Sequence, residues 1–276
     1  MLNFKMLKKI IKQYILDPFL GKKMFQPFFE RVHFIALQGM NFYGVSIGDG
    51  GEKMVINRFF DQLDKNINPI IFDVGANIGD YSMAVNSIFK ERAQLYCFEP
   101  SKETFVILEE NLKNHKNIKL YNFGFGEDNK QTVLYSDKKG SGLASLYDRK
   151  LEYHGITMDQ RENVTIKRLD DFCRENNIEH INFLKMDVEG NELNILKGAE
   201  KMIKLGTVDF IQFEFGGCNI DSRTFFKDFF DFLNPNYKIY RILKDGIRLV
   251  DTYKEEHEVF LTINYLAISR NYMQNI

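Results

Sequence analysis

Short apolar runs of strand length recur along this chain from about residue 69. They cover residues 70–74, 95–98, 118–123, 183–187 and 210–215. Several of the intervening segments carry apolar residues at helical spacing, as at Phe105, Leu108 and Leu112. Strands that alternate with helices predict a parallel sheet with helices on both faces. Because such sheets bind ligands at the carboxyl ends of their strands, we look for functional residues there.

The first apolar run leads into a turn that contains Gly75 and Gly79, and the chain then leaves on a helical pattern. The second run ends at Glu99. Glycines let the backbone approach a ligand closely, and an acidic residue about 20 positions later is placed to accept hydrogen bonds from ribose hydroxyls. The turn alone is also typical of a plain strand-to-helix connection. Together the two features predict a site for an adenosine-bearing cofactor.

The details of this turn favour one cofactor over another. Asn77 stands where a dinucleotide-binding turn has its second glycine, and no Gly-Lys-Ser/Thr of a P-loop follows. The backbone therefore has no special room for a pyrophosphate, and the carboxylate of Asp73 would repel phosphates. That carboxylate suits a cationic group such as the amino group of an amino-acid moiety. We therefore expect S-adenosylmethionine (SAM) rather than a nicotinamide cofactor.

Acidic residues also follow two later strands of the predicted sheet. Asp187 and Glu189 lie at a strand-to-helix turn, where a carboxylate can act in a site or simply cap a helix. Glu192, three residues further, is expected on the helix surface. Glu214 lies inside an apolar run, and burial there should raise its pKa, which suits a general base. Asp187 and Glu214 would permit a divalent ion but do not demand one.

Two polar segments are candidates for the acceptor side of the site. Asn219, Asp221 and Arg223 follow the strand of Glu214 and could hydrogen-bond hydroxyl groups, although a polar loop with a helix cap is also compatible with them. The glycine- and serine-rich segment 137–149 is typical of a loop that folds over a ligand or of a plain surface loop. His154 follows it and is a candidate base if the loop closes.

Composition narrows the class of protein. The chain has 276 residues, 44% of them hydrophobic and 27% charged, as in ordinary globular proteins. A formal net charge of −1 gives no reason to expect nucleic-acid binding, and no apolar run reaches the length that spans a membrane. The three cysteines form no C-x-x-C pair, which indicates reduced thiols and a cytoplasmic protein.

The N-terminal segment differs from the rest. Residues 2–16 place apolar side chains at helical spacing among lysines, and residues 1–23 contain six lysines against one aspartate, a local charge of 6 − 1 = +5. A basic amphipathic helix can lie on an anionic membrane surface, and it can equally be a packing helix or a dimer arm. We expect residues 1–66 to form a helical extension and residues 67–276 the catalytic domain.

Longer motifs resemble those of the FkbM-type SAM-dependent methyltransferases, from about residue 36 to 268. They are Phe-Asp-Val-Gly-Ala-Asn-Ile-Gly at 72–79, Phe-Glu-Pro at 98–100, Val-Thr-Ile-Lys-Arg-Leu-Asp-Asp-Phe at 164–172 and Phe-Leu-Lys-Met-Asp-Val-Glu-Gly-Asn-Glu-Leu-Asn-Ile-Leu-Lys-Gly-Ala at 183–199. The resemblance implies a class I methyltransferase fold, a Rossmann-like α/β fold. Its seven-stranded sheet would be mostly parallel with an antiparallel last strand, and a late strand is expected at 260–268.

The resemblance also implies O-methylation, often of sugar or polyketide hydroxyls. It carries Asp73, Gly75, Asn77, Gly79 and Glu99 over as cofactor contacts. The full cofactor-binding prediction adds Ala76, Tyr81, Ser82, Pro100 and Asp187. The catalytic candidates are Asp187, Glu189, Glu214 and His154. The candidates for substrate binding are Tyr147, Arg149, Gly217, Asn219, Asp221 and Arg223.

The chain also looks like a subset of this family found among surface-glycan genes, through residues 36–41, 145–149 and 214–226. The leading hypothesis is therefore a SAM-dependent sugar O-methyltransferase of surface-glycan or polysaccharide biosynthesis. Methylation of a polyketide or other small-molecule hydroxyl, a non-catalytic cofactor-binding scaffold and a nicotinamide-dependent oxidoreductase are the alternatives. A small-molecule or glycan acceptor is the expected partner, and homo-oligomerisation is left open.

Overall fold

A computed structural model describes residues 11–44, 50–63 and 67–274 of the chain. The chain forms two compact units, residues 1–42 and residues 43–276. The second unit begins at Tyr43 and so includes a helix that precedes the first strand. The predicted division between residues 66 and 67 stays a prediction.

The first unit is helical. A six-residue helical segment covers Ile11–Leu16, a short 3₁₀ turn covers Lys23–Phe25, and helix α1 covers Gln26–Gly39. Pro27 lies in the first turn of α1, where its missing N–H costs no hydrogen bond. The basic amphipathic helix predicted over residues 2–16 is described only from residue 11, and its first part lies outside the described residues.

The second unit contains two sheets and most of the helices. The strands are β1 Ile70–Val74, β2 Gln94–Phe98, β3 Ile118–Tyr121, β4 Gly124–Phe125, β5 Lys130–Ser136, β6 Gln160–Lys167, β7 Ile181–Met186, β8 Val208–Phe215, β9 Tyr237–Ile242, β10 Ile247–Val250 and β11 Ile263–Ser269. The helices are α2 Glu52–Gln62, α3 Asp80–Phe89, α4 Lys102–Leu112, α5 Leu169–Glu175, α6 Glu192–Gly198, α7 Glu200–Leu205, α8 Cys218–Ser222, α9 Phe226–Leu233 and α10 Arg270–Gln274. Short 3₁₀ turns cover Lys90–Arg92, Glu152–His154 and Glu255–His257.

The large sheet has the strand order β10-β9-β11-β8-β7-β1-β2-β3. Strands β3, β2, β1, β7 and β8 pair in parallel, and β11 runs antiparallel to both β8 and β9. The predicted class I fold with an antiparallel late strand is therefore confirmed. An eighth strand, β10, which the sequence did not predict, extends the sheet as a hairpin with β9.

Both faces of the central strands β1, β2, β7 and β8 are buried, which explains why these strands are nearly all apolar. On one face, Ile71, Leu95 and Phe183 form a core cluster with residues of α2, α3 and α4. On the other face, Phe98 packs edge-on against Phe172 of α5, with ring centroids 5.2 Å apart. The helices thus cover the sheet on both sides, and only its strand ends are left to form a site.

The small sheet has the order β4-β6-β5 and carries a second apolar cluster. Leu134, Val164 and Ile166 form this cluster, and Ala144 and Leu146 pack against it. Residues 144 and 146 belong to the segment 137–149 that the sequence predicts as a loop. The small sheet therefore holds that loop from below and fixes its position beside the ends of the large sheet.

Strand register brings the predicted acidic residues to one edge of the sheet. Asp73 of β1 pairs with Lys185 of β7, and Met186 pairs with Phe213 of β8. Asp187 and Glu214, the next residues along β7 and β8, therefore lie at neighbouring strand ends. Gly75, at the end of β1, has a φ of +78°, and a Cβ there would lie 1.9 Å from the backbone oxygen of Asp187. Only glycine fits this contact.

We expect Gly75→Ala to destabilise the protein far more than Gly155→Ala. Both glycines have a positive φ, but a Cβ at Gly155 would meet no atom within 4 Å. Gly155→Ala should lose about 1–2 kcal/mol of unfolding free energy, the cost of a left-handed alanine. Gly75→Ala must in addition displace the β7 backbone. Urea unfolding of both variants measures the difference, and equal losses would show that the Gly75–Asp187 approach is not tight.

Candidate active site

A cleft opens at the carboxyl edge of the large sheet, between the ends of β1 and β7. Part of the cleft is open to solvent. Its walls come from the turn after β1, the end of β2, the turn after β7 and residues 141–146 of the loop. The two strand-end turns predicted from the sequence therefore face one another across a single cleft.

Glu99 lies on this cleft at the end of β2 and is almost fully buried. Its carboxylate accepts hydrogen bonds from the backbone N–H of Asn77 at 3.0 Å and of Ser101 at 2.9 Å. Burial raises the pKa of Glu99 to about 7, although both backbone bonds favour the ionised form. A carboxylate has about four acceptor positions, so Glu99 retains acceptors for a ligand beside the glycine turn.

The far end of the cleft is apolar. Phe125, Leu134, Leu146 and Ile166 line it, and Pro100 continues the same wall. These side chains come from the small sheet, the loop and the end of β2. An apolar slot next to a carboxylate suits a flat heterocycle joined to a hydroxylated ring.

Asp73 lies behind the cleft rather than on its lining. It is 1% exposed, accepts a hydrogen bond from Ser82 Oγ at 2.7 Å and forms an ion pair with Lys185 Nζ at 3.1 Å. Burial alone would lower the pKa of Lys185, but the charges of Asp73, Asp187 and Glu52 outweigh it and raise that pKa above its ordinary value. Asp73 is thus already paired with a cation, and its predicted direct contact with the cofactor stays a prediction.

The other residues of the predicted cofactor set divide into two groups. Gly75, Asn77, Glu99, Pro100 and Asp187 line the cleft. Ala76, Gly79, Tyr81, Ser82 and Asp73 support it from behind. In this second group, a Cβ on Gly79 would lie 3.0 Å from Leu108, and the Tyr81 ring lies 5.1 Å from Lys185 Nζ.

The turn after β7 is held in an unusual conformation by a buried glutamate. Glu189 has a φ of +54° and Gly190 a φ of +106°. The carboxylate of Glu192 accepts hydrogen bonds from the backbone N–H of Val188 at 3.0 Å and of Gly190 at 3.1 Å. Glu192 is fully buried, so its predicted place on the helix surface is wrong. Glu192, the first residue of α6, points inward because its carboxylate accepts these hydrogen bonds from the turn after β7.

Glu189 and Arg149 form an ion pair at the mouth of the cleft. Arg149 Nη1 donates to the Glu189 carboxylate, and its Nε lies 3.7 Å from Asp221 Oδ2. Ser145 Oγ donates to the backbone oxygen of Glu189 at 2.7 Å. Burial and the charge of Asp187 raise the pKa of Glu189 to about 8, against the opposing effect of Arg149. The guanidinium of Arg149 therefore links the loop 137–149 to the turn after β7 and to helix α8.

Glu214 lies at the end of β8 next to this ion pair. It is 9% exposed. A carboxylate oxygen of Glu214, a carboxylate oxygen of Glu189 and the Sγ of Cys218 all lie within 4.8 Å of one another. Burial raises the pKa of Glu214 well above its ordinary value, and the charges of Asp187 and Glu189 raise it further. A carboxyl that loses its proton reluctantly is a strong base once ionised.

These carboxylates do not by themselves indicate a metal. Glu189 is engaged by a guanidinium, and Asp187 Oδ2 lies 3.7 Å from the ammonium of Lys185. The guanidinium of Arg149 and the ammonium of Lys185 would compete with a metal ion for these carboxylate oxygens. The metal pairing of Asp187 with Glu214 stays a prediction.

The remaining candidates are more scattered. His154 is exposed and is absent from the cleft lining, and its ring centroid lies 4.4 Å from that of Tyr153.

The candidates for substrate binding lie in different places. Asn219 is buried and accepts a hydrogen bond from the backbone N–H of Gly216 at 2.8 Å, so it shapes the turn around Gly217. Tyr147 and Arg223 line a second, more open groove together with Asn194, Asp228 and Asp231. Tyr147 accepts a hydrogen bond from Asn194 at 3.0 Å.

Glu52 is a residue that sequence reasoning missed. It lies on α2, is 5% exposed and accepts a hydrogen bond from Gln212 of β8. Burial raises its pKa to about 7, and the charge of Lys185 opposes that rise. Glu52 precedes the first strand of the sheet, so no strand-end pattern pointed to it.

Asn191 also lines the cleft. Its side-chain amide donates a hydrogen bond to the backbone oxygen of Phe125 at 2.9 Å. Its place in the 183–199 motif is the signal from which it could have been found.

The fold and the cleft define an α/β protein with a ligand site where the strand order reverses, between β1 and β7. The chain belongs to the FkbM methyltransferase family: the Methyltransferase FkbM domain matches residues 73–242, more than half of its length. The predicted family is thereby confirmed. Over residues 11–44, 50–63 and 67–274, each helix is too short or too polar to cross a membrane.

Relatives of this chain include two named methyltransferases. It is 26% identical over 158 residues to the 2-O-methyltransferase NoeI of Sinorhizobium fredii (strain NGR234), a match that covers 54% of this chain and 64% of NoeI. It is 26% identical over 164 residues to the hexuronic acid methyltransferase AglP of Haloferax volcanii, covering 58% of this chain and 61% of AglP. The chain thus spans less than two thirds of either relative.

A solved structure of similar class is the methyltransferase FkbM from Methylobacillus flagellatus KT. It shares 16% identity with a TM-score of 0.45, covering 75% of this chain and 45% of that one. This likeness adds nothing to the fold assignment, which rests on the strand order and register.

The buried Glu192 makes stability depend on pH in a direction opposite to that of salt-bridged carboxylates. Its folded-state pKa is raised from 4.5 to about 7. The associated stabilisation is full below pH 4.5 and is lost as the pH rises through about 7. We expect the unfolding free energy to fall between about pH 4.5 and 7, and Glu192→Gln to flatten this fall by about 1 kcal/mol per pH unit. Urea unfolding across the range measures it, with the exposed Glu109→Gln as control; an unchanged slope in Glu192→Gln would contradict the assignment.

Proposed function

We propose that the protein is a SAM-dependent O-methyltransferase that methylates a sugar hydroxyl in surface-glycan or polysaccharide biosynthesis. The observation that carries the proposal is the position of Glu99, which lines the same cleft as Gly75, Asp187 and Glu189. Glu214 lies outside that lining, with a carboxylate oxygen within 4.8 Å of one of Glu189. Membership of a methyltransferase family supports methyl transfer, and the cleft supports the choice of cofactor.

The cleft residues fit SAM in three ways. Glu99 would bind the ribose hydroxyls, and the wall of Phe125, Leu134 and Ile166 would hold the adenine. Asp187 lies on the cleft lining, and its carboxylate would favour a positively charged sulfur. When bound, SAM supplies a methyl group already activated by that sulfonium, so the protein has mainly to align the acceptor.

Glu214 is the group we assign as base for the acceptor hydroxyl. A hydroxyl must lose its proton as its oxygen gains the methyl group, and the Glu214 carboxylate would take that proton. Its burial makes it a stronger base than a surface glutamate. The ion pair of Arg149 with Glu189 fixes the neighbouring wall, so an acceptor is presented to Glu214 by a rigid surface.

The chemistry around Glu214 favours a sugar as acceptor. Arg149 and Asp221 offer charged hydrogen-bonding groups next to it, and the groove of Tyr147, Asn194 and Arg223 continues the polar surface. A site built from hydrogen-bonding groups rejects substrates that leave those groups unpaired. The names of NoeI and AglP, a 2-O-methyltransferase and a hexuronic acid methyltransferase, support the same class of acceptor.

A direct test incubates the purified protein with methyl-labelled SAM and matched panels of acceptors. One panel contains sugars, uronic acids and their oligosaccharides, and the other contains apolar hydroxyl compounds of polyketide type. Label in a sugar ether supports the proposal. Label only in the apolar panel would remove the sugar assignment, and no binding of SAM by calorimetry would favour a scaffold role.

Glu99→Gln should weaken cofactor binding. The variant loses the carboxylate charge and turns an amide N–H₂ toward one of the two backbone N–H groups, of Asn77 or of Ser101, that the carboxylate now binds. We expect a loss of about 1–3 kcal/mol in the binding of S-adenosylhomocysteine, the scale of a buried acceptor removed. Calorimetric titration measures it, and Glu103→Gln, on the surface in an ion pair with Lys139, is the control. Equal affinity in wild type and Glu99→Gln would remove Glu99 from the cofactor site.

Glu214→Gln should depress turnover without weakening the cofactor. A positioned base contributes roughly 10²–10⁴-fold, so kcat should fall by about that factor. The dissociation constant of S-adenosylhomocysteine should stay unchanged, since the assigned ribose contact is Glu99. Steady-state kinetics and calorimetry on the same preparation separate the two effects. Unchanged kcat would exclude Glu214 as the base.

A further inference from the structure

Helix α1 exposes a continuous apolar face. Phe28, Val32 and Ile35 recur at the i, i+4 and i+7 positions of one helix side, and they are 60%, 45% and 66% exposed. Met24, just before the helix, is 78% exposed. Leu37 is the one buried residue of this helix. A helix in a soluble protein normally buries its apolar stripe, so this face needs a partner.

The charge of the same unit is opposite to that of the rest of the chain. Residues 1–42 contain seven lysines and arginines against two acidic residues, giving 7 − 2 = +5. The whole chain has 37 basic and 38 acidic residues, so residues 43–276 carry 30 − 36 = −6. Lys22, Lys23 and Arg31 are exposed around α1, and Arg31 lies one turn before Ile35. The apolar face is therefore bordered by positive charge.

We propose that residues 11–42 form an interfacial anchor that lies on an anionic lipid bilayer. Phe28, Val32 and Ile35 would enter the boundary between headgroups and acyl chains, and Lys22, Lys23 and Arg31 would lie against the lipid phosphates. An amphipathic helix with a basic flank binds such a surface through both effects together. The proposal is independent of the methyltransferase chemistry.

Charge favours a lipid surface over a second copy of this chain as the occupant. Two copies joined through α1 would bring two +5 units together, and their like charges would oppose the contact. An anionic bilayer neutralises the same charges. The −6 of residues 43–276 would keep the remainder of the protein from lying on that surface.

The test is co-sedimentation of the full chain with vesicles of phosphatidylglycerol and phosphatidylcholine, and with vesicles of phosphatidylcholine alone. We expect binding to the anionic vesicles, loss of most of it in high salt, and little binding to the zwitterionic ones. The triple variant Phe28→Ser, Val32→Ser, Ile35→Ser should fall to background. The double variant Val106→Ser, Leu249→Ser removes exposed apolar groups elsewhere and should bind like wild type.

A second variant keeps the proposal testable if the serine variant misfolds. Lys22→Glu, Lys23→Glu, Arg31→Glu retains the apolar face and should lose the preference for anionic vesicles. Circular dichroism and cofactor binding of each variant check that the fold is intact. Absence of binding to anionic vesicles, or equal binding to both lipids, would overturn the proposal. A dimer seen by light scattering that the serine variant dissociates would assign the face to a second copy instead.

Discussion

The ion pair between Lys185 and Asp73 holds together the edge of the sheet on which the site is built. Both side chains are almost fully buried, and their residues are register partners on β7 and β1. The same ammonium lies 3.3 Å from the backbone oxygen of Gly75 and 3.7 Å from Asp187. Removal of one partner would leave an uncompensated buried charge, at a cost of roughly 3–5 kcal/mol. One side chain thus links the two turns that form the cleft.

Around this pair, acidic groups outnumber cations. Four further carboxylates interact with the pair or with one another: Glu52, Asp187, Glu189 and Glu214. Among the interactions described, the one other cation that contacts these carboxylates is Arg149. Burial, together with the charges of neighbouring carboxylates, raises the pKa values of Glu52, Glu189 and Glu214 above their ordinary values. A cationic ligand relieves this repulsion, whereas a neutral one does not. The electrostatics of this edge of the sheet therefore favour a positively charged ligand over a neutral one of the same shape.

Sequence reasoning found the parts of the site that follow directly from strand ends. Glu99 and Asp187 follow apolar strands and Glu214 lies near the end of one, and the sheet places β2, β7 and β8 in parallel so that these ends share one edge. It could not find Glu52, which reaches the site through a helix that precedes the sheet. It also misjudged Glu192, because helical spacing does not show that a carboxylate turns back to the N–H groups of Val188 and Gly190, which precede the helix. The pairing of Asp73 with Lys185 needed the register of β1 against β7, which no single-strand pattern contains.

The loop above the cleft is tied down on both sides. Asn77 donates to the backbone oxygen of Ser141 at 3.2 Å, and Ser145 donates to the backbone oxygen of Glu189 at 2.7 Å. One bond anchors the loop to the turn after β1 and the other to the turn after β7. The ion pairs of Arg149 with Glu189 and of Lys139 with Glu103 hold the same loop. A ligand that needs the loop to lift would have to break several of these contacts together, and a slow opening of the loop would then limit how often the site can reload.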